Sequence, residues 1–249
     1  MSDDLKKEFH PVAPPPPRGF DEFGPDYNER LDACLRGLGG RDGRYYNRLK
    51  CDGLLRLARK YLGDTRVRDF LDLGCGTGLT ERTIAPEFRF GVGLDMSPGM
   101  VRAAGDAPGN CAFALGDAGR LPFADRSFDL VFSFTMLHHL EDPTLAAMLP
   151  EVRRVLRPGG LMAHFDHNPY NYLTRQVAKY CDFDQERAIL RPLRQVKALA
   201  RGHGFTVVES GYLAFIPAAL SFLEPLERLF RPLPIGGQYY LAARVTGEP

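Results

Sequence analysis

No stretch of about 18 consecutive apolar residues occurs in this 249-residue sequence, so no segment reads as a membrane-spanning helix. A charge excess of either sign is nearly lacking too. Against 32 Lys and Arg stand 31 Asp and Glu, and a formal net charge of +1 gives no electrostatic footprint for nucleic acid. Cysteine is sparse and unpatterned: five residues, at 34, 51, 75, 111 and 181, form no C-x-x-C pair. The odd number and scattered spacing speak against a disulfide framework and a structural zinc site, and fit a reducing cytoplasm. The opening MSDDLKKEFH lacks the apolar core of a secretory signal, and no internal repeat is present. What is there is an ordinary globular composition, 44% hydrophobic and 25% charged, sufficient for one well-buried α/β domain with additions or two small domains.

Along the chain, residues 1–19 are polar and then proline-rich (PVAPPPPRG), which reads as a disordered or extended leader. Residues 20–65 carry two helical patterns, one through Leu31, Cys34, Leu35 and Leu38 and a second from about Tyr45 to Leu62. From residue 66 onward apolar runs alternate with helix-like segments, at about 67–73, 89–95, 111–115, 128–134, 159–166, 205–210 and 239–245. Ser97–Pro98 and Asp142–Pro143 supply helix starts. This rhythm predicts a parallel sheet covered on both faces.

The stretch FLDLGCGTGLT, residues 70–80, ends a strand pattern in Asp72 and then places Gly74, Gly76 and Gly78 at alternate positions. Glycines lose the most entropy on folding, so three together point to a ligand that approaches the backbone closely. A helix beginning near Thr77 presents its amino terminus to the same place. Asp95, at the end of the next strand pattern, lies 23 residues beyond Asp72, near the spacing of an acid that binds ribose hydroxyls. The G-x-G-x-G spacing differs from the dinucleotide G-x-G-x-x-G, and an acid before the loop repels a pyrophosphate but attracts an ammonium. The pattern therefore favours a ligand with a ribose and an amino group.

These residues resemble the class I S-adenosylmethionine (SAM) dependent methyltransferases, strongly over about 66–166. FLDLGCGTGLT matches the first motif of that family, VGLDMSPGM the second, ALGDAGRLPFADRSFDLVFSF the third and fourth, and RRVLRPGGLMAHFD the approach to the fifth strand. The resemblance implies a Rossmann-like, doubly wound seven-stranded sheet whose last strand, QYYLAARV, is antiparallel, with SAM as cofactor. It also implies that Asp72 and Gly74 lie at the methionine end of SAM, and that Cys75, Gly76 and Gly78 wall the loop. Asp95 would take the ribose hydroxyls with Met96 against the adenine. Asp117 would accept from the adenine amino group, the Ala118 amide would reach a ring nitrogen, and Phe134 would lie near the cofactor. The amino-terminal helices would form a lid, where Tyr27, Tyr45 and Tyr46 either close over SAM or pack beneath the helices.

Methyl transfer needs the acceptor held in line and sometimes deprotonated. Histidine titrates near neutrality, and TMLHHLED and MAHFDHNPYN place His138, His139, His164 and His167 after the fourth and fifth strand patterns. His167 is the leading candidate base with His138 beside it. Asp166 could orient His167, while His164 reads as buried structure and His138 also fits a packing role. Tyr170, Asn171 and Tyr172 fit a pocket wall or a helix cap equally, and Lys50 reads as a solvated face more readily than a carboxylate clamp. No histidine–carboxylate set has metal spacing. Residues 213–235, apolar and broken by prolines, predict an excursion with an amphipathic helix around 218–230 that roofs an acceptor pocket, forms a homodimer contact, or touches a membrane surface. The expected activity is SAM-dependent methylation of oxygen, nitrogen or carbon on a small apolar or amphiphilic acceptor. The alternative is a SAM-binding protein that transfers no methyl group.

Overall fold

A computed structural model describes residues 20–21, 23–37, 40–181, 188–214 and 227–247. The proline-rich leader and most of the 213–235 excursion lie outside the described residues.

Strand β1 (Asp69–Leu73), reading DFLDL, is buried along its whole length. It sits between β2 (Phe90–Asp95) and β4 (Phe128–Phe134), parallel to both, with Leu71 opposite Val92 on one side and Val131 on the other. Adding β3 (Cys111–Leu115), β5 (Leu156–His167), β6 (Phe205–Leu213) and β7 (Gln238–Val245) gives one seven-stranded sheet in the order β3-β2-β1-β4-β5-β7-β6. β7 runs antiparallel to β5 and β6, so the expected sheet with its reversed last strand is the one observed. The order turns around between β1 and β4, and the crevice beyond the carboxyl ends of such a pair is where ligands bind in doubly wound folds.

Period-two alternation divides the strand residues between two cores. Phe70, Leu130, Phe132 and Phe165 face α2 (Gly43–Leu62), packing with Leu54 and Leu57. Leu71, Leu73 and Val131 face the other side, against Met148 and Val152 of α5 (Asp142–Val155) and Val196 of α7 (Leu193–Gly202). The shorter helices are α1 (Tyr27–Gly37), α3 (Leu79–Ile84), α4 (Pro98–Ala104), α6 (Tyr172–Tyr180) and α8 (Glu227–Phe230). Ser97 caps α4 by accepting from the Met100 N–H. Among the described residues no helix is long and apolar enough to cross a membrane.

At the amino-terminal edge of the sheet, Asp69 accepts from Arg89 and Arg157, and Asp129 from Arg68, Arg157 and the Asp69 backbone N–H. These buried carboxylates are satisfied by guanidinium groups reaching in from the rim, so that edge is a structural staple far from the glycine loop.

One expectation is corrected here. Cys34 in α1 and Cys181, just past α6, form a disulfide across 147 residues of sequence, leaving Cys51, Cys75 and Cys111 as free thiols. The two helices pack side by side, and a pairing made by tertiary contact leaves no mark in sequence spacing. The argument for a reducing compartment loses its footing accordingly. Denatured but unreduced protein should titrate three thiols, rising to five after reduction. Cys34→Ser should lower stability to denaturant by about 2–4 kcal/mol without reductant. Five thiols before reduction would remove the bridge.

Candidate active site

β1 hands the chain to a loop in which Gly74, Gly76 and Gly78 all have positive φ, from +54° to +75°. At Gly74 a Cβ would stand 2.8 Å from Met136, so a side chain there is excluded by space as well as by conformation. At Gly76 a Cβ would meet nothing within 4 Å, so the ground above the loop is open. The loop is clipped to β2: the Gly74 and Cys75 N–H groups both donate to the Leu94 carbonyl, at 2.8 and 3.1 Å. Asp95 extends the clip. Its two carboxylate oxygens accept from the Gly76 and Ser97 N–H groups, each at 2.9 Å, which leaves further lone pairs on the same carboxylate. Burial pushes the Asp95 carboxyl up, opposed by these backbone donors.

Asp72 lies beneath this loop, almost fully buried, with Oδ1 lacking a hydrogen-bond donor among the described residues. Burial and the neighbouring carboxyl of Glu81, from α3, push Asp72 well above the usual range, and burial pushes Glu81 to about 7. Burial and like charge together disfavour ionising both carboxyls at once. The sequence argument took Asp72 as an acid before the loop that attracts an ammonium. The structure makes it an interior acid, 1% exposed on the face of β1 shared with Phe70.

The segment before α2 lies over the loop. Asp21 Oδ1 accepts from Ser97 Oγ at 2.6 Å and from the Gly99 N–H at 2.9 Å, and Asn28 donates to Thr77 at 3.0 Å. The Ser97 hydroxyl, then the Gly99 N–H, hold Asp21 below the ordinary carboxylate range. Neither Asp21 nor Asn28 was singled out in the sequence; Asp21 lies in a turn and Asn28 in the first turn of α1, and neither belongs to an apolar period that would mark it. On the far side of the loop Asp117 Oδ1 accepts from the Gly119 N–H at 2.8 Å, with Asp117, Ala118 and Met96 all half-buried at the crevice. The Phe134 ring packs on Phe132 and Phe165 in the α2-side core. The open backbone at Gly76, the lone pairs on Asp95 and the donorless Asp72 oxygen together fit a ligand carrying a ribose and an ammonium, as SAM does.

The chain leaves β4 through Thr135, a β-branched residue held at φ +48°, a strained conformation costing roughly 1–3 kcal/mol. The turn that follows forms the floor of a cleft of about 970 Å³, open to solvent, between α1 and α6. Leu31 and Leu35 line one wall and Leu173 and Val177 the other, above a polar floor that includes Lys50, Thr135, His138, His139 and His167. Lys50, expected on a solvated face, is only 7% exposed. Burial pulls its ammonium down to about 8.

Asp166 organises this floor. His138 Nδ1 lies 2.6 Å from Asp166 Oδ1, and the His138 backbone N–H donates to Oδ2 at 3.1 Å. His164 Nε2 stands 3.4 Å from Oδ2, with its own Nδ1 2.8 Å from Ser133 Oγ. Burial alone would raise the Asp166 carboxyl, but His138 and then His164 hold it well below the usual range. An ionised Asp166 fixes the His138 proton on Nδ1 and leaves Nε2 as the basic nitrogen. The orienting carboxylate therefore belongs to His138, not His167, which donates to Asp166 only through its backbone N–H at 2.7 Å. The imidazoles of His138 and His167 lie 4.8 Å apart between centroids. His138, Asp166 and His167 bring ligand-type atoms within 4.8 Å of one another, a grouping with no counterpart in sequence spacing. The 2.6 Å contact already joins two of those atoms, so the trio reads as a hydrogen-bonded dyad with a neighbour.

The raised Glu81 carboxyl binds more protons folded than unfolded between about pH 4.5 and 7. Stability should therefore fall as pH rises through that window, by on the order of 3 kcal/mol for Glu81. Glu81→Gln should flatten the slope of melting temperature against pH there. An unchanged slope would exclude Glu81 as its source.

Residues 70–160 match a family model described as a methyltransferase domain. The chain is 31% identical over 182 residues to malonyl-[acyl-carrier protein] O-methyltransferase of Dechloromonas aromatica, covering 70% of this chain and 66% of that protein. It is 41% identical over 168 residues to demethylmenaquinone methyltransferase of Beutenbergia cavernae, covering 67% of this chain and 62% of that protein. The matches thus span less than two thirds of these curated relatives. A solved structure of an S-adenosylmethionine dependent methyltransferase from Mesorhizobium loti superposes with a TM-score of 0.57 at 22% identity, over 78% of this chain and 99% of that one, which establishes likeness of fold. Motif, sheet order and relatives agree: the chain carries a class I SAM-dependent methyltransferase domain.

Proposed function

We propose that this protein methylates a small amphiphilic acceptor held in the cleft between α1 and α6, with His138 as general base. The observation that carries the reading is the 2.6 Å His138–Asp166 pair opening onto that cleft. The turn that bears it, through Met136, also packs against Gly74 of the loop. A methyl donor over the loop and an acceptor in the cleft would share that turn as their common floor.

SAM, when bound, supplies an electrophilic methyl group on a good leaving group. Asp95 would hold the ribose hydroxyls, Asp117 and the Ala118 N–H the adenine edge, and the buried oxygen of Asp72 an ammonium. His138 Nε2 takes a proton from the acceptor's hydroxyl or activated carbon, and Asp166 stabilises the imidazolium that results. His167, beside it, shapes the approach. The apolar walls exclude water, which strengthens these charge interactions. The relatives are named for malonyl-[acyl-carrier protein] and demethylmenaquinone, and a cleft with apolar walls over a polar floor suits an acceptor of mixed polarity.

The test is methyl transfer from labelled SAM across a panel of amphiphilic acids, phenols and hydroquinols. With a working acceptor, His138→Ala should lower kcat by about 10²–10⁴ and Asp166→Asn by a comparable factor, while SAM affinity stays near normal. His167→Ala should cost less. Asp95→Ala should weaken SAM binding at least about tenfold, since a charge-assisted hydrogen bond is worth roughly 1.5–3 kcal/mol. SAM binding without transfer to any acceptor would favour a non-methylating role. Equal, mild losses from His138→Ala and His167→Ala would replace base catalysis by positioning alone.

A further inference from the structure

The cleft floor contains a cation that the mechanism above does not use. Lys50 projects from α2 into the cleft, is 7% exposed, and among the described residues has one polar hydrogen-bond partner, Thr135 Oγ1 at 3.3 Å. An ammonium has three donors, and no carboxylate is recorded within 4.0 Å of this one. Its remaining support is the Phe134 ring, 5.1 Å away. A buried charge so thinly paired costs stability unless a ligand completes its shell. The partner it does have belongs to the strained Thr135, whose backbone is pinned by donating its N–H to the Phe165 carbonyl at 2.8 Å.

From this geometry we infer that Lys50 is the anchor for an acidic oxygen of the acceptor, a carboxylate or the oxyanion of a phenol or enol. The apolar remainder of the molecule lies between Leu31 and Leu35 on one side and Leu173 and Val177 on the other. The inference rests on the reading of this cleft as the acceptor site, and it narrows the acceptor class from amphiphiles in general to amphiphilic acids. A cationic head would face like charge at Lys50, and a purely apolar head would leave the ammonium uncompensated.

Octanoate and 1-octanol share length and shape and differ in the acidic head, so they are the probes. Calorimetric titration of the full chain should find octanoate bound at least about tenfold more tightly than 1-octanol. Lys50→Met, similar in volume, should abolish that preference, and Lys50→Arg, which keeps the charge, should retain it. S-adenosylhomocysteine affinity, measured on the same samples, should stay within about twofold in both variants and shows that they are folded. No octanoate preference in the wild type, its survival in Lys50→Met, or its loss in Lys50→Arg would overturn the assignment. So would a tenfold or greater loss of S-adenosylhomocysteine affinity in a Lys50→Met protein whose melting is unaltered, because the carboxylate on Lys50 would then be the cofactor's own. These titrations need no turnover. A Lys50-dependent preference in a protein that transfers no methyl group would sink the catalytic reading and leave this one standing.

Discussion

Everything polar in this molecule is arranged around a strand that can hold nothing polar in its middle. β1 is covered on both faces and flanked on both edges, so its charged residues are confined to positions where other elements can satisfy them. Asp69 sits at the entry, where guanidinium groups reach it from the rim. Asp72 comes near the exit, and everything beyond it is loop. β4 repeats the arrangement, with Asp129 at its start and Ser133 near its end. One edge of the sheet becomes an ion-paired floor and the other a collection of incompletely satisfied groups. Chemistry is possible only at the second.

At that second edge two aspartates of the same sheet are driven in opposite directions. Asp72, beside another carboxyl, is pushed up, and Asp166, between two imidazoles, is held down. Burial acts on both in the same sense, so the neighbours decide. This separation leaves Asp72 beneath the glycine loop disposed to stay neutral while Asp166 fixes a histidine tautomer. Lys50 stands between the two, drawn on by both carboxyls and paired with neither.

The strands and the glycine loop were legible because they are local. Alternation in FLDL and VFSF and three spaced glycines speak through the backbone within a few residues. Asp95 and Asp117 lie at or just past strand ends, so their positions were legible with the strands. What sequence could not give is pairing across the sheet. His138 and Asp166 lie on consecutive strand exits, and only the β4–β5 register, Phe134 opposite Phe165, shows that Asp166 falls beside His138. Lys50 was misjudged for a related reason. Helical periodicity says which residues share a face, but not that the covered face runs past the end of the sheet and over a cavity. Phe134 ends β4, and its ring joins the aromatic packing with Phe132 and Phe165 that sequence does not reveal.

The Cys34–Cys181 bridge has a mechanical consequence. It closes a covalent ring containing α2, β1 to β5 and α6, while α7, β6 and β7 lie outside it. Tension applied at the two ends of the chain would bypass the ring altogether. It would instead peel the β6–β7 hairpin from the edge of β5, releasing only the contour length beyond Cys181 and before Cys34. The glycine loop and the His138–Asp166 pair, both inside the ring, would survive a pull that had already stripped two strands from the sheet.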